Sequence, residues 1–99
     1  MPKIIRTGKF NQSLDELILN DLALESLINK RIRWFQINPN DTRLNNHALT
    51  KRLAGQYAFS ITNNIRIKYE WTSKTTVRLL EIGPHEQVYA RVKKQSPKR

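Results

Sequence analysis

The sequence predicts an α+β fold: an N-terminal strand, then a two-helix antiparallel hairpin packed on one face of a small antiparallel β-sheet. Three observations predict it. Apolar residues recur at helical spacing in the first half of the chain and at a period of two in the second. Clusters of Asn, Pro, Asp, Ser and Thr separate the segments. The length of 99 residues suits one domain and one modest core.

Lys3 to Thr7 reads as a short strand. Phe10, Leu14, Leu17 and Ile18 then follow the i, i+4, i+7, i+8 spacing of an amphipathic helix, with Thr7 placed to cap it. Asn20-Asp21 breaks the pattern. A second helix carries Leu24, Leu27, Ile28, Ile32 and Phe35 on one stripe, with Lys30, Arg31 and Arg33 largely off it. Asn38-Pro39-Asn40-Asp41 stops it. So short a turn between two helices implies an antiparallel hairpin.

Alternation then takes over. Tyr57, Phe59 and Ile61 form one apolar row, and Ile65, Ile67, Tyr69 and Trp71 another, interleaved with Arg66, Lys68 and Glu70. Val77 to Ile82 is a third strand, apolar in part on both parities. With Thr62 to Asn64 as a loop, Tyr57 faces Tyr69, Phe59 faces Ile67 and Ile61 faces Ile65. With residues 72–75 as the next loop, Trp71 faces Thr76 and Arg66 faces Glu81. This register puts Ile65, Ile67, Tyr69, Leu80 and Ile82 against the helices. It puts Arg66, Lys68, Glu70, Val77, Leu79 and Glu81 on the open face, the candidate working surface.

Composition narrows the function. There are 18 Lys+Arg against 8 Asp+Glu, a net charge of +10. Residues 1–50 carry +2 and residues 51–99 carry +8, of which +5 lies in Arg91, Lys93, Lys94, Lys98 and Arg99. The chain therefore reads as one domain over residues 1–90 followed by a basic tail over residues 91–99. Such a charge balance favours a polyanionic partner. The absence of Cys excludes a disulfide framework or a thiol nucleophile and fits a reducing cytoplasm. Two histidines and scattered carboxylates show no metal-ligand spacing, and no glycine-rich phosphate loop is present, so neither metal nor cofactor is expected.

His85 follows Gly83-Pro84 at the end of the last strand, and His47 lies in the Asn45-Asn46-His47 loop. Each is placed to exchange a proton near neutral pH, or simply to decorate a surface. Arg66 with Lys68 could hold a phosphate. The same pattern fits a solvated face with Arg66 paired to Glu81. Cleavage of RNA through its own 2′-OH requires a base, an acid and cations, and the chain offers these types near one sheet.

The run from His47-Ala48-Leu49 through Gly55 and Phe59-Ser60-Ile61 to Ile65-Arg66-Ile67-Lys68-Tyr69 resembles the central motif of the RelE/ParE toxin superfamily. Leu79-Leu80-Glu81-Ile82-Gly83-Pro84-His85, closing on Val88-Tyr89, resembles its C-terminal motif. The likeness runs from Ile4 to Tyr89 and is strongest to the RelE-like and YafQ-like branches. It implies the RelE-like microbial RNase fold and a type II toxin–antitoxin toxin: a cytoplasmic, ribosome-dependent mRNA endonuclease that arrests translation. It implies an acidic antitoxin, mRNA and ribosomal RNA as partners. By the resemblance Arg66 contacts the scissile phosphate, His85 is a candidate acid, and Tyr89 stacks on or orients the mRNA. His47 is a candidate base, as is Glu81, and Lys51, Arg52 and Lys68 bind RNA backbone. The alternative within the superfamily is a ParE-like toxin that poisons DNA gyrase and is no nuclease.

Overall fold

In the computed structural model of the chain, residues 1–19 and 21–84 are described. His85, Tyr89 and the basic tail over 91–99 lie outside the described residues.

Helix α1 spans Gly8–Leu17 and α2 spans Leu22–Ile37. Thr7 caps α1 by accepting the Phe10 amide at 3.1 Å, and Asp21 caps α2 by accepting the Leu24 amide at 2.9 Å. Strands β1 (Lys3–Arg6), β2 (His47–Ala48), β3 (Tyr57–Ser60), β4 (Ile65–Trp71) and β5 (Thr76–Pro84) form one sheet in the order β1-β5-β4-β3-β2. Strands β2 to β5 pair antiparallel, whereas β1 runs parallel to β5, so the sheet is mixed. The parallel edge follows from topology. Two helices intervene between β1 and the rest, and a crossover of that length permits a parallel partner.

Both helices bury their stripes against one face. Phe10 and Leu14 of α1, and Ile28, Ile32 and Phe35 of α2, join Phe59, Ile67, Tyr69, Val77, Leu79 and Ile82 in a single core. Phe35 stacks on Phe59 with centroids 4.6 Å apart and meets Tyr69 edge-on at 4.8 Å. Among the described residues no helix is long and apolar enough to cross a membrane.

The β3–β4 register is the expected one, with Tyr57 opposite Tyr69 and Phe59 opposite Ile67. The β4–β5 register differs from expectation. Trp71 pairs with Val77 rather than Thr76, and Arg66 with Gly83 rather than Glu81. The ladder also shifts between Lys68 and Tyr69: Tyr69 pairs with Leu79, and Lys68 pairs with Glu81. Leu80 is the extra residue of a β-bulge. Its cause is legible in the side chains. Val77, Leu79 and Ile82 are all fully buried, yet they lie on different parities, which no regular strand can bury on one face. Val77 and Leu79, expected on the open face, therefore enter the core, and Leu80 leaves it.

Helix α1 secures the bulge on both sides. Thr7 Oγ1 donates to the Leu79 carbonyl at 2.9 Å, and the Ile82 amide donates to Ser13 Oγ at 3.2 Å. Strand β1 ends opposite Leu79, and from there the amide and hydroxyl of Thr7, the cap of α1, and then the Ser13 side chain satisfy the β5 backbone. Ser13 is buried. Ser13→Ala should lower unfolding free energy by about 1–3 kcal/mol in urea titrations, because it strands a buried amide. A loss below about 0.5 kcal/mol, the scatter of ordinary surface substitutions, would remove Ser13 from this role.

Candidate nucleic-acid site

The bulge decides what faces away from the helices. Without it, Leu80 would oppose Lys68 and Glu81 would point into the core. With it, His47, Ala58, Lys68 and Glu81 form one row across β2, β3, β4 and β5. Ala58 is the fully buried floor of that row. Three strand spacings separate His47 from Glu81, roughly 14 Å between backbones at ~4.8 Å each. The next row toward the hairpin tip holds Ser60, Arg66 and Gly83.

Lys68 and Glu81 are both buried, at 2% and 5% exposure, and their charged ends lie 3.5 Å apart. Lys9, in the first turn of α1, reaches the other Glu81 oxygen at 4.0 Å. These groups line a cleft of about 260 Å³ together with Thr7, Gln56, Arg78 and Leu80. Glu81 thus has its ion-pair geometry with Lys68 and Lys9, and Arg66 is not its partner. A carboxylate held between two ammonium groups is oriented and electrostatically favoured, as buried charges require.

Arg66 is held at the tip of the β3–β4 hairpin. Its Nη1 donates to the Thr62 carbonyl at 2.8 Å and the Asn63 carbonyl at 2.9 Å. Those bonds fix the guanidinium plane. Ser60, Arg31 from α2 and Arg43 line the same small depression. Arg43 donates twice to Asp41, from Nε at 3.0 Å and Nη2 at 2.7 Å, which pushes the Asp41 carboxyl down to about 2. Trp34 lies under the guanidinium groups of Arg43 and Arg31, 3.6 and 4.3 Å from its ring centroid.

His47 is exposed, at the start of the edge strand β2. Its Nδ1 lies 3.0 Å from the Asn45 carbonyl oxygen. A carbonyl only accepts, so this contact puts the proton of a neutral ring on Nδ1 and the lone pair on Nε2. The loop before it is fixed from below. The Tyr69 hydroxyl donates to Asn46 Oδ1 at 2.8 Å, Asn46 Nδ2 donates to the Pro39 carbonyl at 2.8 Å, and Asn45 adopts the left-handed conformation at φ 54°. Burial pushes the Tyr69 phenol up to about 12, against the smaller opposing effect of its bond to Asn46. An unfolded tyrosine ionises at 10.0. Above that pH the unfolded chain gives up a proton that the folded one keeps. The stabilisation is therefore present below pH 10 and lost as pH rises toward about 12. Thermal melts should show that fall, and Tyr69→Phe should flatten it.

Lys51 and Arg52 are exposed in the 3₁₀ turn Lys51–Leu53 between β2 and β3. That loop is closed by the Leu49 amide donating to the Gln56 carbonyl at 2.9 Å, and it turns at Gly55 with φ 92°. The space beside Gly55 is open, so Gly55→Ala meets only backbone strain. It should cost about 1–2 kcal/mol in denaturant titrations.

The structure therefore brings Lys68 and Glu81 together, sets His47 in their row, and places Arg66 one row away at the hairpin tip. Lys51 and Arg52 stand apart from that row, in the loop between β2 and β3. Lys9, Arg31 and Arg43 were not singled out from sequence. Arg31 lies three residues before Trp34 and Arg43 beyond the end of its helix, and Lys30 also lies over that ring at 5.4 Å, so spacing alone does not set the two arginines apart.

No protein-family model matches the sequence, and no curated protein matches it. Solved structures do. A copper-bound mutant toxin from Helicobacter pylori superposes with a TM-score of 0.74 at 23% identity, over 90% of this chain and 100% of that one. A YoeB/ParE toxin from Agrobacterium tumefaciens gives 0.72 at 20% identity, over 84% and 98%. The YoeB-YefM toxin–antitoxin heterotetramer from Staphylococcus aureus gives 0.69 at 16% identity, over 86% and 98%. The fold is thus the RelE/ParE toxin fold.

Proposed function

We propose that this chain, with the fold of the RelE/ParE toxins, is the toxin of a type II toxin–antitoxin pair and an endoribonuclease that cuts mRNA on the ribosome. The observation that carries the reading is the bulge at Leu80. It turns Glu81 out of the core to meet Lys68 in a row with His47, beside Arg66. A ParE-like gyrase poison has no use for a buried, oriented carboxylate set among cations. The neighbouring folds being toxins, one of them solved with its antitoxin, supports the role and an antitoxin partner.

The chemistry uses the substrate's own nucleophile. A base removes the proton of the ribose 2′-OH, which attacks the adjacent phosphorus. The P–O5′ bond breaks and an acid protonates the departing oxygen, leaving a 2′,3′-cyclic phosphate. Glu81 or Nε2 of His47 serves as base, and both sit on the open face. His85, which follows Pro84 of β5 in sequence, is the acid. Arg66 neutralises the charge that grows on the phosphorane oxygens, with its plane already set by the hairpin carbonyls. Lys68 orients Glu81 and adds positive potential, Tyr89 stacks on a base, and Lys51 and Arg52 hold the strand through phosphates.

Induced expression should arrest growth, and toeprinting on ribosomes from those cells should show mRNA cut in the A site. Co-expression of the acidic protein encoded beside it should relieve the arrest. Intact mRNA together with broken or supercoiling-deficient DNA would transfer the assignment to gyrase.

A further inference from the structure

The depression at the tip of the β3–β4 hairpin gathers several cationic side chains from separate elements. It measures about 170 Å³, room for a tetrahedral oxyanion with a few waters at ~30 Å³ each. Arg31, Arg43, Arg66 and Ser60 line it. Among the residues that line it, the Nε of Arg31, the Nε of Arg66 and the Oγ of Ser60 are buried with no hydrogen-bond partner among the described residues. Native structures seldom leave such atoms unpaired, since each one costs about 1–3 kcal/mol. Three such donors on the residues of one small pocket leave it with capacity for an acceptor.

Charge points the same way. Three arginines line the pocket, and the single carboxylate of Asp41 takes two bonds from Arg43 and acts electrostatically on Arg31 as well, so one negative charge stands against three positive ones. Fixed supports hold two of them in place: Trp34 for Arg31, and the Thr62 and Asn63 carbonyls for Arg66. Planar donors fixed in advance are the arrangement that grips phosphate.

We propose that this pocket is a phosphate subsite that binds the backbone of the same RNA strand one nucleotide from the phosphate being cut. Arg31, Arg43 and Ser60 form it, and Arg66 is shared between the two positions. The row of Ser60 and Arg66 lies two residues along the strands from the row of Lys68 and Glu81, roughly 7 Å. That distance is comparable to the separation of neighbouring phosphates on one strand. The subsite rests on the ribonuclease reading for its substrate, but its binding is measurable apart from cleavage.

The test uses the full chain and a fluorescein-labelled 2′-O-methyl RNA dodecamer, which binds but cannot be cut. Arg31→Gln with Arg43→Gln should weaken binding about tenfold near 0.1 M salt and lower the slope of log K against log salt by about 0.7, one phosphate contact on a single strand. In the wild-type protein, the side-chain Nε–H resonances of Arg31 and Arg66 should shift on adding the dodecamer. This second readout does not depend on the variant folding. Unchanged affinity and slope in a folded variant, or unmoved Nε–H signals, overturn the proposal. So does an inorganic-phosphate titration that moves those signals when the dodecamer neither moves them nor competes, which would make the pocket a small-anion site only. Loss of RNA binding in the variant, with no mRNA cleavage by the wild type, would uphold the subsite and reject the nuclease reading alone.

Discussion

Arg66→Ala should reduce ribosome-dependent mRNA cleavage by about 10²–10³-fold, roughly 3–4 kcal/mol of barrier, with little change in stability. The argument is one of preorganisation. A flexible cation reaching toward a phosphorane must be ordered during the reaction, and that ordering raises the barrier. The Arg66 guanidinium is ordered beforehand by two backbone carbonyls of the hairpin turn, while its buried Nε stays unpaired. Arg66→Lys keeps the charge but cannot satisfy both carbonyls and still offer a planar donor pair. It should retain only a small part of the rate. Single-turnover cleavage on programmed ribosomes separates these outcomes, because the deficit should fall on the chemical step rather than on ribosome binding. A full-rate Arg66→Ala protein would mean that Arg66 touches no reacting phosphate.

Much of this arrangement was written in local sequence pattern. The Thr7 cap, the apolar stripes of both helices and the Tyr57–Tyr69 register follow from spacing alone, since each involves residues near one another in the chain. The bulge did not follow. Val77, Leu79 and Ile82 announced a conflict of parity, but where a strand absorbs an extra residue is settled by long-range partners. Those partners are Thr7 and Ser13, about seventy residues away in sequence. For the same reason the pairing of Glu81 with Lys68 was not legible, and Arg66 was matched to the wrong partner. The arginine cluster was hidden differently. Arg31, Arg43 and Arg66 come from a helix, a 3₁₀ turn and a strand, and no sequence period links them. The parallel placement of β1 likewise depends on how the chain crosses over, not on the four residues of the strand.

Lys68→Met should be the most destabilising single change on the open face, at about 3–5 kcal/mol. Domains of this size hold only about 5–15 kcal/mol in total. Methionine nearly matches the lysine in volume, so packing is preserved and the loss is electrostatic. The Glu81 carboxylate, 5% exposed, would keep Lys9 at 4.0 Å but lose the ammonium 3.5 Å away. Removing both charges should behave differently. In Lys68→Met with Glu81→Leu both charges of the pair are gone, and the double variant should be more stable than Lys68→Met alone. The double variant should nevertheless be inactive on programmed ribosomes, because the oriented carboxylate is gone. A stable fold without activity is the signature of a pair kept for chemistry. Urea titration of the two single variants and the double variant gives the coupling energy, and the cleavage assay on the same samples gives the function. If the double variant cuts mRNA at the wild-type rate, Glu81 is not the base, and His47 is left to take the 2′-OH proton. If Lys68→Met costs under about 1 kcal/mol, the burial of Glu81 is compensated without Lys68, and the pair contributes orientation rather than stability.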